Sequence, residues 1–232
     1  MFFYDWTIIL LLPAVVFAGF AQGKVRSAYR TYSKIGTERG ITGVQTARKI
    51  LDAHGLFDVP IEHVSGELTD HYDPIKKTLR LSEGIYADNS IASVAIAAHE
   101  CGHALQHQSG YTLLVIRNLI ARPVSLISMA SWPLLIIGIF MAEAGKYSTG
   151  HLLMDIGIIA FCGAVLFHLV TLPVEINASK RGLRELQIEG VIGEEEVHGS
   201  KKMLTAAALT YVAAIMTSLA QLLRMLILVR RD

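Results

Sequence analysis

The chain has 232 residues, 52% of them hydrophobic, and a mean hydropathy of +0.44. That is too apolar for an ordinary soluble domain and points to an integral membrane protein. A net charge of +1 gives no global attraction for nucleic acid, and two cysteines, Cys101 and Cys162, rule out a disulfide scaffold.

Four apolar runs approach the ~20 residues that a membrane-spanning helix needs. The first, 6–22, contains Pro13, follows Asp5, and is followed by Lys24, Arg26, Arg30, Lys34 and Arg39. Its basic residues come after the apolar run, so it reads as a retained anchor and not as a cleaved signal peptide. Positive charge stays cytoplasmic, which puts the amino terminus outside and residues 23–123 inside.

Within 23–123, Thr42 is placed to cap a helix carrying Val44, Ala47, Ile50 and Leu51 on one face and ending near Gly55. Residues 62–82 read as a β-hairpin, from the alternation in "TLRLS" and the turn at Asp73-Pro74. Asn89 or Ser90 then caps a helix from Ile91 to about His107. The stretch "YTLLVIRNLIARP" is amphipathic and is expected to lie on the membrane or under the domain. The second and third spans are 124–142 and 152–172, the latter with Asp155 near one end and His168 near the other. Loop 143–151 falls outside. Residues 173–203, with Lys180, Arg181, Arg184, Lys201 and Lys202, fall inside and read as two helices broken near Gly190 to Gly193. The fourth span, within 204–232, carries Arg224 and leaves Arg230-Arg231 outside, against the charge rule.

The stretch "AAHECGHALQH" carries the chemistry. His99 and His103, four apart on a helix, share one face about 6 Å apart along the axis. Glu100 points about 100° away from His99 and can reach a water on an ion without ligating it. This is the HExxH arrangement of zinc-dependent hydrolases; the bland alternative is two surface histidines on an ordinary helix, and the apolar, proline-free segment before the motif favours the former. His107 stands about 12 Å along the helix from His99 with no glycine between His103 and His107 to bend the chain, so it is expected to be solvated or to support a ligand.

A catalytic zinc needs a third protein ligand. Glu194 to Glu196 look like a solvated helix start, and Glu185 and Glu189 like surface residues. Glu175 differs, because it follows Pro173 and is flanked by Val174 and Ile176. A partly buried carboxylate needs a partner, in a cap, a salt bridge or a zinc site, and the incomplete two-histidine site favours zinc.

The segments "DHYDP", "LRLS", "IYADNSIASVAIAAHECGHALQH" and "LPVEINASKR", in this order, resemble the YugP-type membrane zinc metallopeptidases, which are distantly similar to the HtpX-like and CAAX-processing gluzincins. The resemblance covers most of the chain. It implies a mainly α integral membrane protein, with about four transmembrane helices and a small α+β zincin-like cytoplasmic metalloprotease domain. It further implies one zinc per chain held by His99, His103 and Glu175, with Glu100 as catalytic base. Wider gluzincins often carry an Asp four residues after the ligand Glu, to orient a ligand histidine; here that position is Ser179, a weaker acceptor, with Asn177 nearby.

The implied chemistry is peptide hydrolysis by a water that zinc acidifies and Glu100 deprotonates. Candidate groups for the oxyanion or substrate are His71, Tyr72, Arg181 and His198. The hairpin edge could take substrate as an added strand. Expected partners are the lipid bilayer of the cell membrane and peptide or membrane-protein substrates; a homo-oligomer and a regulatory membrane partner stay open. The rival readings are a non-catalytic scaffold with a structural metal, which needs no base at Glu100, and a metal transporter, which would use Asp155, His168 and Arg224 inside the spans.

Overall fold

The structure, a computed structural model, describes residues 6–230; Asp5 and Arg231, two of the charges weighed above, lie outside the described residues. A 3-10 turn, Trp6–Leu11, leads into helix α1 (Leu12–Tyr32), followed by α2 (Gly43–Ala53). Strands β1 (Ile61–Val64), β2 (His71–Asp73) and β3 (Thr78–Ser82) come next, then a short α3 (Glu83–Tyr86). The rest is helical: α4 (Ile91–Gln108), α5 (Thr112–Glu143), α6 (Tyr147–Ile188) and α7 (Glu194–Val229).

Among the described residues, four helical stretches are long and apolar enough to cross a membrane: Trp6–Tyr32, Thr112–Glu143, Tyr147–Ile188 and Glu194–Val229. Each overruns the apolar run that marks it in the sequence. The amphipathic stretch before Pro123 is not a separate surface element. It is the first part of α5, which runs unbroken through Pro123 and Pro133. Likewise α6 continues past Pro173, since an interior proline removes one hydrogen bond without ending a helix whose other contacts hold it.

The chain divides into two compact units. One comprises the residues up to Phe20, Ile116–Leu172 and those from Thr210 onward. It exposes large apolar side chains such as Leu119 (75%), Met129 (73%) and Ile159 (71%), a surface suited to lipid. Inside it α5 and α6 approach through small residues: a Cβ on Gly150 would lie 2.6 Å from the Gly138 carbonyl oxygen, and one on Gly157 would lie 2.8 Å from that of Ser131.

The other unit, Ala21–Val115 with Pro173–Leu209, contains the sheet. Thr42 and Gln45 form a reciprocal capping box at the start of α2, and the Ser90 hydroxyl accepts from the Ser93 amide at the start of α4. The hairpin of β2 and β3 is present, with Tyr72 opposite Leu79. A third strand joins it: β1 pairs parallel to β3, giving the order β1-β3-β2 and leaving β2 at an edge. Leu79 and Leu81 point from β3 into a core with Ile50, Leu51, Ile85 and Val94, while Arg80 points outward to Glu62 and Asp73. Gly190, at φ +60°, ends α6, with the Val191 amide returning to the Leu186 carbonyl at 2.8 Å.

Candidate metal centre

Helix α4 is buried on almost every side, which its small residues permit. Its glycine and alanines set the approach of α6. A Cβ on Gly102 would lie 2.3 Å from the Ala178 carbonyl oxygen, and one on Gly182 would lie 2.5 Å from that of Ala98. The two backbones therefore meet directly, and the α6 face carrying Glu175, Ala178 and Gly182 is pressed onto the motif.

The contact brings three donors together. His99 Nε2 lies 3.2 Å and His103 Nε2 3.4 Å from Glu175 Oε2, and one ligand atom from each of the three residues falls within 4.8 Å of the others. Glu175 is 2% exposed. The outer ring nitrogens are held from behind. His99 Nδ1 is 3.0 Å from Ser179 Oγ, and His103 Nδ1 is 3.0 Å from Gln106 Oε1. Gln106 Nε2 donates to the Val174 carbonyl (2.8 Å) and to Asn177 Oδ1 (3.0 Å), so its oxygen is the atom that faces His103. An acceptor there keeps the proton on Nδ1 and leaves the Nε2 lone pair turned to Glu175. Arg181 Nε donates to Asn177 Oδ1 at 2.9 Å and its guanidinium lies over the Tyr111 ring, 5.9 Å from the centroid.

Glu100 stands apart from the three donors. Its Oε2 accepts the Tyr72 backbone N–H at 3.0 Å, across from strand β2. Burial pushes its carboxyl up to about 7; the charge of His99 opposes that rise, while those of Glu175 and Asp70 add to it. Cys101, inside the motif, faces the core, where burial raises its thiol well above the usual range and keeps it neutral.

The remaining candidates divide. Tyr72 meets the site through its backbone, while its hydroxyl is 3.0 Å from His107 Nδ1; His107 is thus a partner of Tyr72. His71, the neighbour on β2, points to the opposite face, is exposed, and sits between the Thr69 carbonyl and Arg80. His198 lines a cleft between α1 and α7 whose lining contains none of the three donors. Asn177 and Ser179 both support the histidines' side of the site.

Two carboxylates read as surface groups are buried. Glu185 lies buried on α6, ten residues and nearly three turns beyond Glu175, with Oε2 2.9 Å from His54 Nε2. Glu196 folds back to accept the Gly193 and Glu38 amides at 2.8 and 2.9 Å, capping α7 instead of facing solvent.

Residues 7–230 match a family model described as "Putative neutral zinc metallopeptidase". The chain belongs to that family. It is also 48% identical over 217 residues to a Bacillus subtilis (strain 168) protein named "Putative membrane protease YugP", a match covering 94% of this chain and 93% of that protein. No solved structure matches. The family description names zinc, and the His99, His103 and Glu175 cluster is a group of side chains able to hold a metal ion.

Sequence reasoning missed Gln106, the Tyr72 amide and the glycine contacts. Gln106 carried a readable signal, three residues after His103 on the same helix face; the other two arise only when separate elements meet.

Proposed function

We propose that this chain is a membrane-embedded zinc endopeptidase working at the cytoplasmic membrane surface, with His99, His103 and Glu175 as metal ligands and Glu100 as general base. The observation that carries the reading is the convergence of two imidazole Nε2 atoms and one carboxylate oxygen, with a fourth group, Glu100, next to them yet held elsewhere. Two nitrogens and one oxygen are a donor set that suits zinc and leaves a coordination position open, and both histidines have the rear partners that ligand histidines need.

Zinc bound there supplies a Lewis acid that acidifies water and polarises a scissile carbonyl. Glu100 takes a proton on its carboxylate and delivers it to the departing amine. The Tyr72 amide holds one carboxylate oxygen and so fixes the direction of the other. In a strand the N–H and C=O of one residue point to the same edge, so the Tyr72 carbonyl faces the Glu100 side of β2 and offers an acceptor to a substrate backbone added at that edge. Recognition through backbone groups favours broad sequence tolerance. Cytoplasmic orientation is supported by Lys24, Arg26, Arg30, Lys34 and Arg39 following the first apolar run.

The test is metal analysis of the purified full-length protein beside peptide cleavage by wild type and Glu100→Gln. The expected result is bound zinc in both proteins and turnover in wild type alone. Near-wild-type cleavage by Glu100→Gln would remove the mechanism.

A further inference from the structure

A cleft of about 620 Å³ lies between the α1 and α7 segments of the sheet-containing unit. Its α1 wall is one helical stripe, starting at Lys24 and continuing through Ser27, Ala28 and Thr31. Its α7 wall is another, through Lys201, Lys202 and Thr205. On α1 the spacings of three, four and seven from Lys24 put the set on one face; on α7 the adjacent Lys201 and Lys202, four and three residues before Thr205, flank the face that Thr205 shares. Three lysines and four hydroxyl residues, Tyr32 among them, thus line one space with His198, and among the described residues no carboxylate lines it.

The two helices approach closely at Tyr32 and Gly199. A Cβ on Gly199 would lie 2.9 Å from the Tyr32 ring, so a larger residue there would have to displace that ring for α7 to stay this close to the end of α1. The glycine belongs to the same unit as the cleft it shapes.

Clustered ammonium groups suit a phosphate oxyanion; lysines supply point charge and the Ser27 and Thr205 hydroxyls direct the oxygens, while the Thr31 hydroxyl donates to the Ser27 carbonyl at 2.9 Å. Where the cleft falls along the chain chooses between free phosphate and lipid. The α1 stripe begins two residues after the apolar run 6–22 ends, and the α7 stripe runs into the apolar run that begins near Leu204. Ala206 and Leu209 extend the α7 wall as apolar surface. A ligand with a charged head and hydrocarbon chains matches that order, polar groups first and apolar groups further along. We propose that the α1–α7 cleft is a binding site for the phosphate of an anionic phospholipid headgroup. It is separate from the zinc chemistry and does not depend on it.

The full-length protein in detergent would be titrated with short-chain phosphatidylglycerol, short-chain phosphatidylcholine, or inorganic phosphate, with bound ligand counted by native mass spectrometry and stability followed by thermal melting. The expected result is retention of phosphatidylglycerol at concentrations at least about tenfold below those needed for phosphatidylcholine. Lys201→Ala with Lys202→Ala should abolish that preference. Arg26→Ala with Arg30→Ala removes the same charge from exposed α1 positions that do not line the cleft and should keep it. If the lysine pair fails to fold, the pair Ser27→Ala with Thr205→Val decides, and should weaken phosphatidylglycerol retention. Equal loss in the arginine pair would mean diffuse surface attraction and overturn the site. So would retention unchanged in the altered cleft, or stabilisation by inorganic phosphate with none by phosphatidylglycerol.

Discussion

Gly102 of α4 meets the backbone of Ala178 of α6: a Cβ at residue 102 would stand 2.3 Å from the Ala178 carbonyl oxygen. That contact sets the distance between the helix bearing His99 and His103 and the helix bearing Glu175. Helix propensity alone would favour Gly102→Ala by up to about 1 kcal/mol. The contact is with backbone, which cannot rotate away, and forced overpacking costs about 1–3 kcal/mol or more. Gly102→Ala should therefore lower both the melting temperature and bound zinc. Gly23→Ala, with nothing within 4 Å of the added Cβ, should do neither. Full zinc occupancy in Gly102→Ala would show that the helices can part without disturbing the donors.

Gln106 joins α4 to α6 while orienting His103. Replacing a hydrogen-bonding partner of a ligand histidine typically costs about 10- to 100-fold in metal affinity. Gln106→Leu removes the acceptor for His103 Nδ1–H, and leaves that group and the Val174 carbonyl without Gln106 as partner. Zinc affinity should fall by that order, as read by competition with a chelator. Gln106→Glu keeps an acceptor for His103 and should retain more affinity than the leucine variant. The reverse ranking would place the weight of Gln106 on α6 and not on the histidine.

Burial holds the Glu100 carboxyl at about 7, against a usual value of 4.5, so the folded, metal-free protein binds a proton there more tightly than the unfolded chain. The stability linked to that proton is complete below about 4.5 and is lost as pH rises through about 7. The difference between the two values corresponds to about 3 kcal/mol. Glu100→Gln has no such proton to lose. In metal-stripped protein the melting temperature of Glu100→Gln should gain on wild type as pH rises from about 5 to about 7.5. A constant difference across that range would mean that the carboxylate is solvated.

What could be read from the sequence was local or periodic. The cap at Ser90, the capping threonine at residue 42 and the shared face of His99 and His103 each depend on neighbours within one helix. Glu175 was distinguishable by its apolar flanks, and it is indeed buried. Glu185 reads as a surface residue for the matching reason: its immediate neighbours are polar, yet its position on α6 decides its burial. Strand β1 was missed because its four residues are defined by parallel pairing to a strand further along the chain. The prolines at 123 and 173 looked like boundaries, and the helices pass through both. The Tyr72 amide could not be foreseen, since every residue but proline has one and only the meeting of β2 with α4 selects it.

Glu175 lies three residues beyond Leu172, the end of the third apolar run, on the unbroken helix α6. At 1.5 Å per residue this is about 5 Å of helix. On the proposed function, a zinc ligated by Glu175 is held three residues along the chain from the end of a membrane span. A substrate must enter extended to pair with the β2 edge, and an extended backbone in the hydrocarbon interior would leave its hydrogen bonds unmet. Cleavage should therefore fall in flexible juxtamembrane or unfolded cytoplasmic segments of membrane-tethered proteins. One scissile sequence would be moved stepwise along a tethered substrate and the products mapped by mass spectrometry. Cleavage should peak within a few residues of the membrane surface and decline both toward the centre of the span and at distances of about thirty residues, where a flexible tether of roughly 5–6 Å × √n no longer holds the bond near the surface. Efficient cutting at mid-span, or equal cutting at every tether length, would count against a site fixed at the membrane surface by α6.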